Sequence, residues 1–226
     1  MEKYLFRYSF TNKEKLSYRI AIAGQIEVES PVGAFKNPVG IEMEISQQIV
    51  SEETDSALIG VTIDKVVANR QIPAEQLPEI GKKSVMRMDQ LGNVFWVDGN
   101  AAWQGAEYSM MRFPEEPVSP GEFWDQQVED ARGNASPFFT RYTFAGMNRK
   151  KRRLAEFRTE LFTGNPVAPD SVSAGTGCFC FDIEEKWIDS CENFIEYRFA
   201  MPFPEDPSQQ IVTHTRLHIE MERTNR

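Results

Sequence analysis

Three cysteines and a histidine in the C-terminal part of the chain could form a reactive or metal-binding site. Cys178 and Cys180 share one face of a predicted strand, and a two-residue turn at 184–185 would bring Cys191 opposite Cys178. If the last strand pairs beside that of Cys191, His218 lies near it, and a Cys/His metal site or thiol–imidazole pair becomes conceivable. The spacing matches no familiar zinc module, and a register shift of one residue would move Cys191 to the other face. We therefore predict no metal, and interpret the cysteines as small buried apolar residues.

A short basic run interrupts an otherwise acidic sequence. Its members are Arg149, Lys150, Lys151, Arg152 and Arg153. The run could dock an acidic partner, and protein docking is the best of its functional interpretations. The alternative is a hairpin turn whose charges are simply solvated. No aromatic residues are interleaved for stacking on bases, so single-stranded nucleic acid is not indicated.

Aromatic residues on proline-stiffened loops form a second candidate for partner binding. They are Phe35, Phe113 and Phe203, joined by Trp103 and Trp124. If several are exposed together, they would make a rigid apolar patch of the kind that protein interfaces bury. The alternative is that these loops pack over the mouth of the fold and cover its interior.

Composition and motifs argue against several classes of function. Acidic residues outnumber basic ones by 34 to 25, and the net charge of -9 repels nucleic acid and anionic membranes. No glycine-rich phosphate loop follows a predicted strand, and no nucleophile motif accompanies the two histidines, His214 and His218. These histidines flank Arg216 on a polar face typical of a solvated surface. We therefore predict a protein without a cofactor that is not an enzyme.

The elements that would position these residues follow from a sustained two-residue alternation. One face of the first long stretch carries Leu16, Tyr18, Ile20, Ile22, Ile26 and Val28, while polar residues occupy the other. Similar patterns over 39–49, 59–67 and 211–222, with shorter ones between 85 and 200 and at the start of the chain, predict about eleven strands. So many long, twisted strands must curl, split or close. We predict one all-β domain over 1–226, an antiparallel meander curled into a barrel or half-barrel, with one short helix near 100–112.

Part of the sequence resembles a known group of proteins. The resemblance is carried by the proline-rich element PEEPVSPGEFW at 114–124, the strand RYTFAG at 141–146 and the segment GCFCFD at 177–182. Over roughly residues 85–200 the chain looks like an uncharacterised family of bacterial β-rich envelope proteins. The resemblance implies a fold like that of half-barrel lipoprotein carriers, and members that are usually exported or lipid-anchored. The sequence as written shows no signal sequence and no lipobox cysteine, so the resemblance does not carry over the export or lipid anchoring of these proteins.

Two functions of different class fit these patterns. The first is a non-enzymatic interaction or structural accessory protein of a larger assembly, docking through its apolar loops and basic run. The second is a carrier that holds an apolar small molecule in the curled sheet, as large barrels do. The abundance of side chains that could fill an interior, 16 Phe and 9 Met, favours the first. We expect a soluble cytoplasmic protein as the sequence is written, or a periplasmic or envelope protein if a leader has been removed.

Overall fold

The eleven strands in the described part of the chain form one antiparallel sheet. The computed structural model describes residues 2–11, 15–69, 72, 77–98, 111–129, 135–151, 153–163 and 172–225. The strands are β1 (Leu16–Ser30), β2 (Gly33–Glu52), β3 (Ser56–Ala68), β4 (Lys83–Asp89), β5 (Val94–Asp98), β6 (Phe123–Glu129), β7 (Ala135–Met147), β8 (Leu154–Thr163), β9 (Val172–Asp182), β10 (Trp187–Phe203) and β11 (Asp206–Arg223). The predicted all-β class and strand number are confirmed.

Neighbouring strands in the sheet are consecutive in the chain, except at the centre of the sheet, where the first strand pairs with the last. The order runs β5-β4-β3-β2-β1-β11-β10-β9-β8-β7-β6, so the first and last strands of the chain are neighbours at the centre. β5 and β6 stand at opposite ends of this order and do not pair. The sheet is therefore open, as in a curled half-barrel, and the closed-barrel alternative does not hold.

The inner face of the sheet is filled by two segments that are not strands. Residues 4–10 lie across it beside residues 111–119, and the two segments are joined by a bridge between Tyr4 and Val118. Tyr8 is buried and its hydroxyl donates a hydrogen bond to the carbonyl of Met111 at 2.9 Å. Their side chains meet inward-facing aromatics from β7, β8, β9 and β10 to form a core rich in ring–ring contacts.

The sequence predicted a strand in the first of these segments and a helix that ends in the second. A strand was predicted at the start of the chain, and this was wrong: residues 2–11 form only the isolated bridge at Tyr4. The alternation of apolar residues there reflects an extended segment packed on a sheet face, not a strand within a sheet. The helix predicted near 100–112 falls outside the described residues, except for 111 and 112, which belong to neither helix nor strand. No helix occurs in the described ranges.

Glycines allow the central strands to approach closely along one row of the sheet. Gly24 on β1 lies in the row that continues through Leu217 and Ile195 to Gly175 on β9. A Cβ on Gly24 would overlap the carbonyl oxygen of Arg216, and one on Gly175 would overlap a carbonyl of β10. Glycine within a strand is typical of a tight bend or close backbone approach. This row separates the part of the sheet over the aromatic core from the part beyond it.

Candidate functional site

Beyond the glycine row, four strands continue as two hairpins that lie side by side. β1 and β2 are joined by a turn at residues 31–32, and β10 and β11 by a turn at residues 204–205. Pairing between β1 and β11 continues without a register shift as far as Glu29 and Val212, close to both turns. These extended hairpins form a four-stranded sheet that reaches past the core. The two faces of this sheet are the candidate site.

The inner face of the extended hairpins is apolar. Because the register is unbroken, the residues in step with the buried Tyr18 and Ile20 keep facing the same way towards the turns. We call this surface the inner apolar face; from the glycine row onward it comprises Ile26, Val28, Phe35, Val39, Ile195, Ile211, Thr213, Thr215 and Leu217, and Asn37 opposite Ile26 is its exposed polar exception. Apart from the buried Thr215 and the exposed Phe35, the nine residues are half-buried, so they retain apolar surface that the protein does not cover.

The outer face of the same hairpins carries a network of charges. Glu27 pairs with Lys36 at 3.1 Å and with Arg216 at 3.8 Å, and Arg216 also donates to Glu196 at 2.8 Å. Hydrogen bonding from Lys36 lowers the pKa of Glu27, and hydrogen bonds from Arg216 and His214 lower that of Glu196. The extended hairpins are therefore amphipathic, with one face suited to water and the other to an apolar partner or ligand.

The three phenylalanines predicted to bind a partner occupy different environments. Phe35 is 52% exposed and lies on the inner apolar face, opposite Val28 near the turn of its hairpin. Phe203 is half-buried beside the turn of the other extended hairpin. Phe113 is 2% exposed and stacks among Phe6 and Phe181 in the core, so it is not part of an exposed patch. Only Phe35 and Phe203 remain candidates for contacting a partner.

The described members of the basic run lie at the turn between β7 and β8. Arg149, Lys150 and Lys151 are exposed, and within the described residues none of the three forms an ion pair. Arg153 pairs with the buried Asp182 at 3.2 Å and therefore has a structural role. Arg152 lies outside the described residues. Docking through this run stays a prediction that rests on three exposed cations.

The three cysteines do not converge, and of the three only Cys191 is buried, as was predicted for all of them. Cys178 lies opposite Glu192, whereas Cys191 lies opposite Phe179 and is buried on the inner face. The cause is a bulge between residues 188 and 190: the turn at 183–186 places Asp182 opposite Trp187, the register that would pair Cys178 with Cys191, and the bulge then shifts the pairing by one residue. Cys178 is exposed on the outer face, so the sulfurs of Cys178 and Cys191 are on opposite sides of the sheet.

The histidines lie on the outer face, as their polar surroundings predicted. His218 is not close to Cys191, because it pairs with Phe194 while Cys191 pairs with Met221. Its ring stacks on that of Phe194 with centroids 4.3 Å apart, and its Nε2 lies 2.9 Å from Glu192. His218 thus has carboxylate neighbours, where the sequence had suggested thiols.

Sequence reasoning missed the inner apolar face as a site, although it identified most of its residues as strand positions. The available signal was strand length: β1, β2, β10 and β11 have 15, 20, 17 and 18 residues, far more than the five or six of a common strand. A strand of 20 residues spans about 66 Å at roughly 3.3 Å per residue. The core of a protein this small cannot cover such strands from end to end.

Comparison with known proteins identifies a similar fold but no family. The chain matches no family model and no curated protein, so its resemblance to bacterial envelope proteins stays a prediction. A solved structure described as showing lipid–protein interactions in lipovitellin superposes with a TM-score of 0.53 at 10% identity, covering 96% of this chain and 26% of that chain. A domain from Vibrio parahaemolyticus, described as an outer membrane lipoprotein-sorting protein, covers 92% of this chain and 83% of its own at 9% identity. Its TM-score of 0.20 is too low to support an argument.

The lipovitellin comparison concerns the fold alone. This chain superposes on about a quarter of that chain, so the likeness covers one part of a longer protein. Among the described residues, no helix is long and apolar enough to cross a membrane.

Proposed function

We propose that this protein is a non-enzymatic binding protein for an apolar ligand such as the acyl chain of a lipid, held against the inner apolar face. The observation that carries the proposal is the half-exposed row of aliphatic side chains that continues past the core on strands with a charged outer face. Apolar surface left in water costs about 25 cal/mol per Å², so a ligand that covers it gains that free energy.

The protein's own side chains cover the inner face of the sheet at the core and leave it partly open in the extended hairpins. This difference supports a ligand in the extended hairpins and not in the core. Near the start of β1 the inner face is covered by Phe6, Tyr8 and Phe113, all less than 5% exposed. In the extended hairpins, Ile26 and Leu217 keep part of their surface open. The lipovitellin structure, described as showing lipid–protein interactions, gives a precedent for lipid with a sheet of this kind.

Binding can be tested with a fluorescent fatty acid and a matched pair of variants. Ile26→Asp places a charge on the inner apolar face, whereas Val67→Asp makes a comparable change on the outer face, where Val67 is 54% exposed opposite Glu42. We expect the Ile26 variant to bind the probe at least about tenfold more weakly, since a charge facing an apolar ligand costs more than 1.4 kcal/mol. The Val67 variant should bind as the natural protein does. Equal binding by both variants, or no binding by the natural protein, would refute the proposal.

A second candidate is the accessory protein that docks an acidic partner through the turn between β7 and β8. The supporting observation is that Arg149, Lys150 and Lys151 are exposed cations without an ion pair among the described residues. Reversing Lys150 and Lys151 to Glu should then abolish co-purification of such a partner while leaving fatty-acid binding unchanged. Retention of the partner by this variant would exclude docking through the turn.

A further inference from the structure

We propose that Glu192, His218 and Glu220 form a binding site for a divalent transition-metal ion on the outer face of β10 and β11. Each residue offers one ligand atom, and the three atoms lie within 4.8 Å of one another. The Nε2 of His218 lies 2.9 Å from a carboxylate oxygen of Glu192 and 3.7 Å from one of Glu220. Ligands about 2.0–2.1 Å from a tetrahedral zinc ion are about 3.4 Å apart, so small side-chain movements would suffice.

The backbone register creates this arrangement. Glu192 and Glu220 are directly opposite on neighbouring strands, a pairing of like charges that is ordinarily unfavourable. Among the described residues, no lysine or arginine forms an ion pair with either carboxylate. The basic side chain that lies within ion-pair distance of both is His218. A bound cation would neutralise the two carboxylates and remove the repulsion between them.

The histidine is held in position by an independent contact. Its ring lies parallel to that of Phe194, with an interplanar angle of 3° and centroids 4.3 Å apart, which limits rotation of the imidazole. On the other side, Ala21 and Ala23 of β1 are opposite Glu220 and His218. Their small side chains leave the ligand atoms uncovered on that flank.

The type of ligand indicates the type of metal. An imidazole with two carboxylates suits zinc and similar transition metals, whereas magnesium and calcium prefer oxygen ligands alone. Three protein ligands leave a coordination position for water. Because Glu192 is on β10 and the other two ligands are on β11, a bound ion would cross-link these strands next to the buried pair of Cys191 and Met221.

His214 provides a matched control on the same face of the same strand. It lies 3.2 Å from a single carboxylate, that of Glu196, and this carboxylate already accepts a hydrogen bond from Arg216 at 2.8 Å. A guanidinium therefore occupies the place that an ion would need. Replacing His214 should leave metal binding unchanged, although it removes one of only two histidines in the chain.

The test is calorimetric titration of zinc into the untagged full chain after treatment with a chelator, with magnesium as the comparison ion. We expect about one equivalent of zinc to bind and magnesium to bind far more weakly. His218→Ala should weaken zinc binding at least about tenfold, since loss even of residues behind a ligand has an effect of that size. His214→Ala should bind as the natural protein does. Failure of zinc to bind, or equal binding by His218→Ala and the natural protein, would overturn the proposal.

Two further variants keep the test decisive. Glu220→Gln removes a ligand at an exposed position, so it should weaken zinc binding without altering the far-ultraviolet dichroism spectrum. Cys178→Ser changes the exposed thiol directly opposite Glu192 and should retain zinc binding. Loss of binding in the Cys178 variant with retention in the His218 variant would show a thiol site in place of the proposed one. The visible spectrum of cobalt bound in place of zinc would report the same difference.

Discussion

Replacing Phe6 by alanine should cost much of the stability of this protein, although Phe6 belongs to no strand. Its side chain is 4% exposed, and its ring lies edge-on to those of Phe144 and Phe157 with centroids 5.0 Å away in each case. Truncation of a buried phenylalanine to alanine costs about 3–5 kcal/mol, because apolar contact is lost and a cavity remains. A domain has a total stability of roughly 5–15 kcal/mol. We therefore expect the midpoint of urea unfolding to fall sharply.

The neighbouring residue gives the control. Leu5 is 57% exposed in the same extended segment, so Leu5→Ala should change the free energy of unfolding by no more than about 0.5 kcal/mol. Both variants are measured by urea unfolding monitored by tryptophan fluorescence and dichroism, with the slope compared to detect a change of mechanism. A loss below about 1 kcal/mol for Phe6→Ala, or similar losses for both variants, would show that residues 4–10 do not fill the inner face of the sheet.

Three other predictions test the bend, the core and the thiols. Gly24→Ala should destabilise by about 1–3 kcal/mol in urea unfolding because its Cβ would overlap a backbone carbonyl. Gly40→Ala, whose Cβ would meet nothing closer than 3.6 Å, should not; equal effects would contradict the close approach. Burial raises the pKa of Tyr142 from 10.0 to about 12. The contribution of this tyrosine to the free energy of unfolding is therefore complete below about pH 10 and is lost as the pH rises towards 12. In an alkaline titration followed by ultraviolet absorbance, the tyrosinate signal of Tyr142 should appear with unfolding and not before. Burial also raises the pKa of the Cys191 thiol to about 12, so iodoacetamide should modify the exposed Cys178 first and leave Cys191 unmodified until the protein unfolds.

The sequence predicted the sheet well because alternation reports directly which side chains are covered. Tyr18 and Ile20 are buried on the inner face, while the intervening Arg19 is exposed and pairs with Glu42. The same pattern misled at the start of the chain, where aromatic residues alternate from Tyr4 to Phe10. That segment is extended and has one covered side, which is all that a two-residue period requires. Periodicity cannot show whether an extended backbone also pairs with a neighbouring strand.

Proline content was a poorer guide than alternation. Phe35 was placed on a proline-stiffened loop, yet Phe35 and Pro38 both lie within β2, and Pro38 is opposite Gln25. The pairing of β2 with β3 ends at Ile41, so Pro38 lies where β2 has β1 as its strand neighbour on one side only. Its missing amide therefore costs no hydrogen bond within the sheet. Whether a proline is tolerated in a strand depends on the length of the neighbouring strand, which the local sequence does not contain.

The candidate sites were predicted less well than the fold because a site depends on register. The cysteines and His218 were placed correctly on strands, but one bulge near Asp189 reversed the face of Cys191 relative to Cys178. A carboxylate, that of Glu192, therefore lies beside His218, and the alternative of a thiol there does not hold. Asp182 is a sequence signal for the turn, since aspartate commonly forms turns by accepting backbone hydrogen bonds, and the turn keeps the predicted register. The bulge that follows the turn and changes the register has no comparable signal in the local sequence.

Two non-strand segments divide the inner face of the sheet into a covered part and an open part. A curled sheet of eleven strands encloses more inner surface than its own side chains can cover, and here residues 4–10 and 111–119 cover one end. If filling were the only requirement, β1, β2, β10 and β11 could end at the glycine row, because the core ends there. They continue instead with aliphatic residues facing inward, and half-exposed apolar surface is costly unless something covers it. The charges on the outer face keep these strands in water on one side, so the missing cover belongs on the inner side. We therefore expect a ligand or a partner to meet the inner apolar face, and substitution of Ile26 is the most direct way to detect it.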